Sequence, residues 1–346
     1  MTDSERQKNL NSTPNCRIHR IRSRSALASP DNFSYSRDGL AAFSDGNDQE
    51  TGTVVMHILI TGASGQLGAY LIDRLRDTDH EITAWSGSVD GERLGVPLHR
   101  IDLTEFARLD RSLEAVQPDA IIHAAAISAA EAVRLEPVRA RSINIEATRR
   151  LADWADRRNR RIVLTSTDLV FDGSRSWNRE SDQANPILAY GSTKLEAEAA
   201  ILAIPTGVVA RVCLLFGPSK CGRPYFFTRA IDAIARGEPQ SFFEDEHRTP
   251  LDLTTAATVL TRLAESPLAG LYHLAGPERV SRFELMNRAV RSLGLDATLV
   301  RPGRRSDTAL AEPRPADVSL DSSRLRRAIS DLHFPSIEES LTRDSG

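Results

Sequence analysis

From Met56 onward, short runs of apolar and β-branched residues alternate with stretches in which apolar residues recur every three or four positions. The runs are HILIT from residue 57, EITAW from 81, LHRID from 98, AIIHAAA from 120, RIVLTST from 161 and VVARVCLLF from 208. Their length and β-branched content predict strands. Between them, LGAYLIDRLRD, FARLDRSLEAV, INIEATRRLADWADRR and TKLEAEAAILA carry the helical period. This alternation predicts an α/β protein: a doubly wound parallel sheet of the Rossmann type, with helices on both faces and ligands at the carboxyl ends of the strands. Past about residue 218 the rhythm loosens. YFFTRAIDAIARGE and SRFELMNRAVRSLGL predict helices, GLYHLAG a strand, and RPGRRSDTALAEPRP a loop. The expected division is a dinucleotide-binding domain over 56–218 and a smaller α+β lobe over 219–335. That lobe mainly binds substrate and has segments returning to the first domain.

The first 55 residues lack any apolar period and carry seven acidic and seven basic residues. Such a segment buries too little apolar surface to offset its ordering entropy, so a disordered tail is expected. Its basic stretch RIHRIRSRS suggests a transit peptide, but Asp3 and Glu5 precede it and transit peptides are poor in acids. Met56 is an alternative biological start. The formal charge of −3 gives no long-range pull toward nucleic acid or an acidic membrane. No apolar run approaches the roughly 18 residues of a membrane span. Three cysteines, Cys16, Cys213 and Cys221, make neither a disulfide framework nor a metal-type spacing, so a reducing cytoplasm and no metal are expected.

TGASGQLG places Gly62, Gly65 and Gly68 between the first strand and an amphipathic helix. Gly62 permits the tight turn, Gly65 lets backbone approach a pyrophosphate, and Gly68 lets helix and sheet pack closely. The second strand ends in Ser86 and Ser88, with no acid before Asp90. A carboxylate there would select NAD through the ribose hydroxyl. Its absence points to NADP(H), with Ser86, Ser88 or Arg93 as phosphate contacts and NAD(H) as the alternative. Asp102 is placed to meet the adenine amino group, or else to open the following helix.

The chain uses arginine for 41 of its 44 basic residues; lysine occurs only at Lys8, Lys194 and Lys220. Lys194 follows Tyr190 by four residues, which puts both on one helical face. Chance predicts about 0.04 such pairs in a chain of this composition. A phenol's ordinary pKa of about 10 is too high for efficient proton exchange at neutral pH, and an adjacent ammonium lowers it. Arginine is a bulkier, planar substitute. Thr167, with Ser166 as the alternative, ends the fifth strand and is suited to bind a substrate carbonyl. Asn144 either orders water or backbone near the site or is structural.

Together TGASGQLG, HAAA at 123–126, STD at 166–168 and YGSTK at 190–194 resemble the extended short-chain dehydrogenase/reductase superfamily. Within it the chain is similar to the dTDP-4-dehydrorhamnose reductases, through TSTDLVFDG, PILAYGSTKLEAE, RTPLDLTTAA, GLYHLAGPERVSRFEL and RPADVSLDSSRL. The resemblance implies hydride transfer from NADPH to the C4 ketone of a nucleotide-linked 6-deoxy sugar. Tyr190 would donate the proton, Lys194 would lower its pKa and hold the nicotinamide ribose, and Thr167 would orient the carbonyl. Ser64, Gln66, Leu67, Leu103, Ala124, Ala125 and Ala126 join the glycines, Ser86, Asp102, Tyr190 and Lys194 as expected cofactor contacts. Thr167, Asp168, Arg248 and Arg314 are expected substrate contacts, the arginines for the diphosphate. A homodimer is a further possibility the family raises. Two positions depart from the pattern: Leu169 and Leu214 stand where relatives carry an aromatic residue and a tryptophan beside the sugar. Two other functions fit the same residues. One is a sugar-nucleotide epimerase or dehydratase, although the acidic pair of dehydratases is reduced here to Asp168. The other is a non-catalytic, dinucleotide-binding subunit like the regulatory β subunit of methionine adenosyltransferase.

Overall fold

The computed structural model describes residues 55–307 and 312–343. The expectation for the first 55 residues, and Cys16 with it, therefore lies outside the described residues except at Val55. The strands are β1 (His57–Thr61), β2 (Glu81–Ser86), β3 (Gly91–Arg93), β4 (Val96–Arg100), β5 (Ala120–His123), β6 (Arg161–Thr167), β7 (Gly207–Val212) and a later strand, Gly270–Leu274. They form one sheet in the order Gly270–Leu274, β7, β6, β5, β1, β2, β4, β3. All neighbours run parallel except β3, which is antiparallel to β4. The chain winds outward from β1 through β2 and β4, then returns to β5 on the other side. The reversal between β1 and β5 opens a crevice at the carboxyl ends.

The helices are α1 (Gln66–Leu75), α2 (Phe106–Val116), α3 (Ala130–Leu135), α4 (Pro137–Arg141), α5 (Ala147–Arg157), α6 (Ala189–Leu202), α7 (Phe226–Ala235), α8 (Leu253–Glu265) and α9 (Arg282–Ser292). Strand pleating sorts the apolar side chains of β1 onto two faces. Ile58 and Ile60 join a core shared with α1 and α8, whereas Leu59 joins one shared with α2, α5 and α6. Each such side chain fully removed from water contributes about 1.5–3 kcal/mol. A third core, built on Phe216, Phe227, Leu285, Met286 and Val300, packs α7 and α9 together beyond the main sheet.

Three expectations change. VVARVCLLF is two strands, because the chain leaves the main sheet at Cys213 and Leu214, and Leu215–Phe216 pairs with Leu251–Asp252 instead. The segment expected as a loop starts as a strand: Val300–Gly303 pairs in parallel with Gln240–Phe243. Residues 308–311 of that segment lie outside the described residues. The third strand stops at Arg100, and Asp102 sits in the turn beyond it. GLYHLAG, by contrast, holds a strand as predicted, Gly270–Leu274, lying beside β7 at the edge of the main sheet. Among the described residues no helix is long and apolar enough to cross a membrane.

Candidate active site

A cavity of about 740 Å³ runs along the carboxyl ends of the strands from β4 to β7. Its floor is the turn between β1 and α1. Gly62 takes φ +70°, and a side chain there would meet the Ala125 backbone nitrogen at 2.7 Å. Gly65 donates from its amide to the Gly62 carbonyl (2.9 Å) and precedes α1 without a side-chain cap. The first amides of α1 thus keep their donors for something outside the helix. All of Gly62, Ser64, Gly65, Gln66, Leu67 and Gly68 lie in the wall, as do Ala124, Ala125 and Ala126 from the strand end opposite. Gln66 Nε2 is buried and has no hydrogen-bond partner.

At the β2 end the expectation for Ser86 is corrected. Ser86 is fully buried, and its hydroxyl accepts from the amides of Ser88 (3.4 Å) and Val89 (3.1 Å). Capping its own turn points it away, and Trp85, Gly87 and Ser88 form the wall instead. Arg93 is not in the wall; its Nη1 reaches the Lys220 carbonyl at 3.4 Å. Among the described residues the wall at this end holds no carboxylate before Asp102, and Asp90 accepts from the Arg100 amide (3.0 Å). Asp102 and Leu103 do line the cavity. Asp102 also closes its turn by accepting from the amide (2.9 Å) and hydroxyl (2.8 Å) of Thr104, which lowers its pKa, while Glu105 takes the helix-capping position.

Tyr190 lies in the first turn of α6 and lines the cavity. Gly191 makes this position reachable: a side chain there would meet Pro186 Cβ at 2.9 Å and the Leu169 carbonyl carbon at 3.0 Å, so its absence lets α6 press against Thr167–Leu169. Lys194 is 1% exposed and its Nζ has no hydrogen-bond partner. Burial pulls its pKa down to about 8, against a smaller opposing pull from Glu198. The Tyr190 phenol moves the other way, raised by burial and by the nearby Asp168 carboxyl. Among the protein's own groups, then, burial outweighs any lowering by Lys194. Asn144 orders backbone at the cavity wall, where Ile127 lies. Its amide bonds both the amide (2.9 Å) and carbonyl (3.0 Å) of Ile127 and reaches Thr193 Oγ1 (3.0 Å), tying the wall after β5 to the residue before Lys194. It sits in a single π-helical turn, Ser142–Glu146, ahead of α5. Behind it, fully buried His123 bonds Thr61 Oγ1 (2.6 Å) and Thr148 Oγ1 (2.9 Å). Burial and then Lys194 push its pKa down to about 3, which keeps the ring neutral.

Thr167 and Ser166 both line the cavity, with different partners. Ser166 donates to Glu198, which is also held by Arg211 at 2.8 Å in a buried pair. Thr167 accepts from the Leu169 amide (3.2 Å). Asp168 lines the cavity, paired with Arg248 at 2.7 Å. Arg248 also lines it, but the expectation of a diphosphate contact meets a guanidinium already engaged by Asp168 and by Glu246 (3.2 Å). Burial works against its charge, yet the two carboxylates outweigh it and raise its pKa. Its Nε remains buried without a partner. Arg314 is absent from the wall: it bonds Glu246 at 3.3 Å and stacks 5.8 Å over Phe243. Leu169 and Leu214, the two departures from the family pattern, both face the cavity, near Cys213, Phe226 and Leu253. Composition gave no signal for Arg223, a lone arginine in SKCGRP that also lines the cavity.

A dinucleotide fits these residues on the structure's own terms. A left-handed glycine presses the turn against Ala125, an uncapped helix end faces the cavity, and a buried ammonium one turn from Tyr190 lacks a hydrogen-bond partner. Among known proteins, the family model described as the RmlD substrate binding domain matches residues 56–343. The chain is 28% identical over 295 residues to the probable low-salt glycan biosynthesis reductase Agl14 of Haloferax volcanii, covering 83% of this chain and 96% of that one. It is also 28% identical over 286 residues to methionine adenosyltransferase 2 subunit beta of Bos taurus, covering 80% and 84%. The solved structure of a hypothetical dTDP-4-dehydrorhamnose reductase from Sulfolobus tokodaii matches with a TM-score of 0.71 at 32% identity, covering 82% of this chain and 98% of that one. The family model's match takes in the glycine turn as well as the strands and helices that follow β7.

Proposed function

Because this chain belongs to the family of the RmlD substrate binding domain, we propose that it is an NADPH-dependent reductase of a nucleotide-linked 6-deoxy sugar with a ketone at C4. Residues 219–335 would form most of the sugar-nucleotide site. The observation that carries the reading is the pairing of Tyr190 in the cavity wall with a buried, partnerless Lys194 Nζ one helical turn away. A bound reduced nicotinamide would supply the hydride that adds to the ketone carbon. The chain's own residues do the rest. Burial and Asp168 keep the Tyr190 phenol protonated at neutral pH, so it is loaded to give its proton to the carbonyl oxygen as the alcohol forms. Lys194, with its pKa near 8, supplies the ammonium that favours the resulting phenolate and offers hydrogen bonds to the cofactor's ribose. Thr167 orients the carbonyl, and the Arg248-held Asp168 accepts from a sugar hydroxyl. The rate gain comes mainly from holding ketone, hydride and phenol together.

The test is loss of nicotinamide absorbance when purified protein meets NADPH and a dTDP-4-keto-6-deoxy sugar. Steady oxidation supports the reductase. The similarity to methionine adenosyltransferase 2 subunit beta favours a second reading, a cofactor-binding subunit without turnover. Tight NADPH binding with no oxidation across a panel of keto-sugar nucleotides would select it.

A further inference from the structure

We propose that Arg223, reaching across from the carboxyl-terminal lobe, reads the adenosine 2′-phosphate of NADP(H). This rests on the reading of the cavity as a dinucleotide site. The loop from Gly217 to Tyr225 lies across the glycine turn and is fastened to it at several points. Arg223 Nη2 donates to the Ser64 carbonyl at 2.6 Å. The Cys221 amide and the Ser219 hydroxyl both donate to Gln66 Oε1 at 3.2 Å. Tyr70 donates to the Pro218 carbonyl at 3.0 Å, and Lys220 pairs with Asp73 on α1.

The position of Ser64 decides which phosphate is near. Its neighbour Ala63 donates to the Trp85 carbonyl at 3.0 Å, so Ser64 abuts the end of β2. That strand end is where a Rossmann protein distinguishes the adenosine 2′ substituent. Ser64, Gly87, Ser88 and Arg223 all line the cavity. Among the described residues no acid from the end of β2 lines the cavity, and Asp90 accepts from the Arg100 amide instead. Ser86 is turned inward; Arg139 and Arg248 also line the cavity, but Arg223 is the one bonded to Ser64, so its guanidinium is placed to meet a dianion. One Arg223 nitrogen holds the turn, and its fork has further donors. Arg93, with a buried and partnerless Nε, reaches the same loop at the Lys220 carbonyl and adds to the positive potential. Lys220 is excluded from this role by Asp73.

The experiment is a binding titration of wild type, R223Q and R223K with NADPH, NADH and 2′,5′-ADP, which needs no sugar substrate and no turnover. The proposal expects wild type to prefer NADPH. R223Q should weaken NADPH and 2′,5′-ADP about tenfold to a hundredfold, the worth of a charge-assisted contact, and leave NADH within about twofold. R223K should fall between. Equal losses for NADPH and NADH would overturn the proposal, placing the guanidinium on the pyrophosphate or in the turn's support. No loss for either, or a wild type that binds NADH as tightly as NADPH, would overturn it as well. A failed reductase reading shows differently, as intact NADPH binding without oxidation.

Discussion

Replacing Lys194 with methionine should make the protein more stable while destroying its activity. The ammonium is 1% exposed and lacks a hydrogen-bond partner, so the folded state holds its charge with only the weaker pull of Glu198 against the cost of burial. Its pKa falls from 10.5 to about 8. At about 1.36 kcal/mol per tenfold, keeping it charged at pH 7 costs about 3 kcal/mol. The sign with pH follows from proton counting. Between about 8 and 10.5 the unfolded chain holds this proton and the folded chain has released it, so stability rises with pH across that window. Below about 8 both states are charged and the full cost applies. Lys194→Met should therefore raise stability near pH 7 by up to about 3 kcal/mol, or roughly 6 °C or more in midpoint. The advantage should shrink to a few tenths of a kcal/mol near pH 10.5. Urea unfolding of both proteins at the two pH values isolates this one group, because all other titrations are shared. NADP(H) should then stabilise wild type more than the variant, through the contact only lysine makes. A variant no more stable than wild type at pH 7, or a stability gap that does not narrow with rising pH, would refute the idea of a partnerless buried ammonium.

Tyr190→Phe should abolish NADPH oxidation and leave NADPH affinity nearly unchanged in a fluorescence titration, since only the proton donor is removed. Arg248→Met leaves Asp168 and Glu246 buried without their shared partner, and urea unfolding should show a loss of about 3–5 kcal/mol. Adding Asp168→Leu to that variant should recover part of the loss. Gly191→Ala would push the start of α6 off Thr167–Leu169, because its new methyl meets Pro186 Cβ and the Leu169 carbonyl. We expect kcat to fall about tenfold or more from the misplaced phenol, with NADPH affinity preserved because the glycine turn is untouched.

What the sequence made legible was periodic or local. Every predicted main-sheet strand is present, because apolar runs bounded by turn residues carry their own register. The glycine turn was legible for the same reason: its conformational demand at Gly62 sits within a few residues of the strand and helix that explain it. Tyr190 and Lys194 could be placed on one helical face from spacing alone. The hidden facts are phase and partnership. Ser86 and Ser88 look equivalent in a string, yet a single backbone cap turns one inward and leaves the other in the wall. Arg248 and Arg314 advertised free positive charge, but Glu246 and Asp168 meet them through contacts that no spacing rule records, one of them 80 residues apart in sequence. The break at Cys213 and Leu214 was masked by continuous hydrophobicity, because leaving a sheet to pair elsewhere needs no polar residue. Arg223 shows the limit most clearly. Its side chain acquires meaning only because Ala63 is fastened to Trp85, which brings the turn, the second strand and a loop from the far lobe to one corner. The glycines point to a dinucleotide; in the proposal above, which one is chosen turns on a guanidinium delivered from about 160 residues downstream.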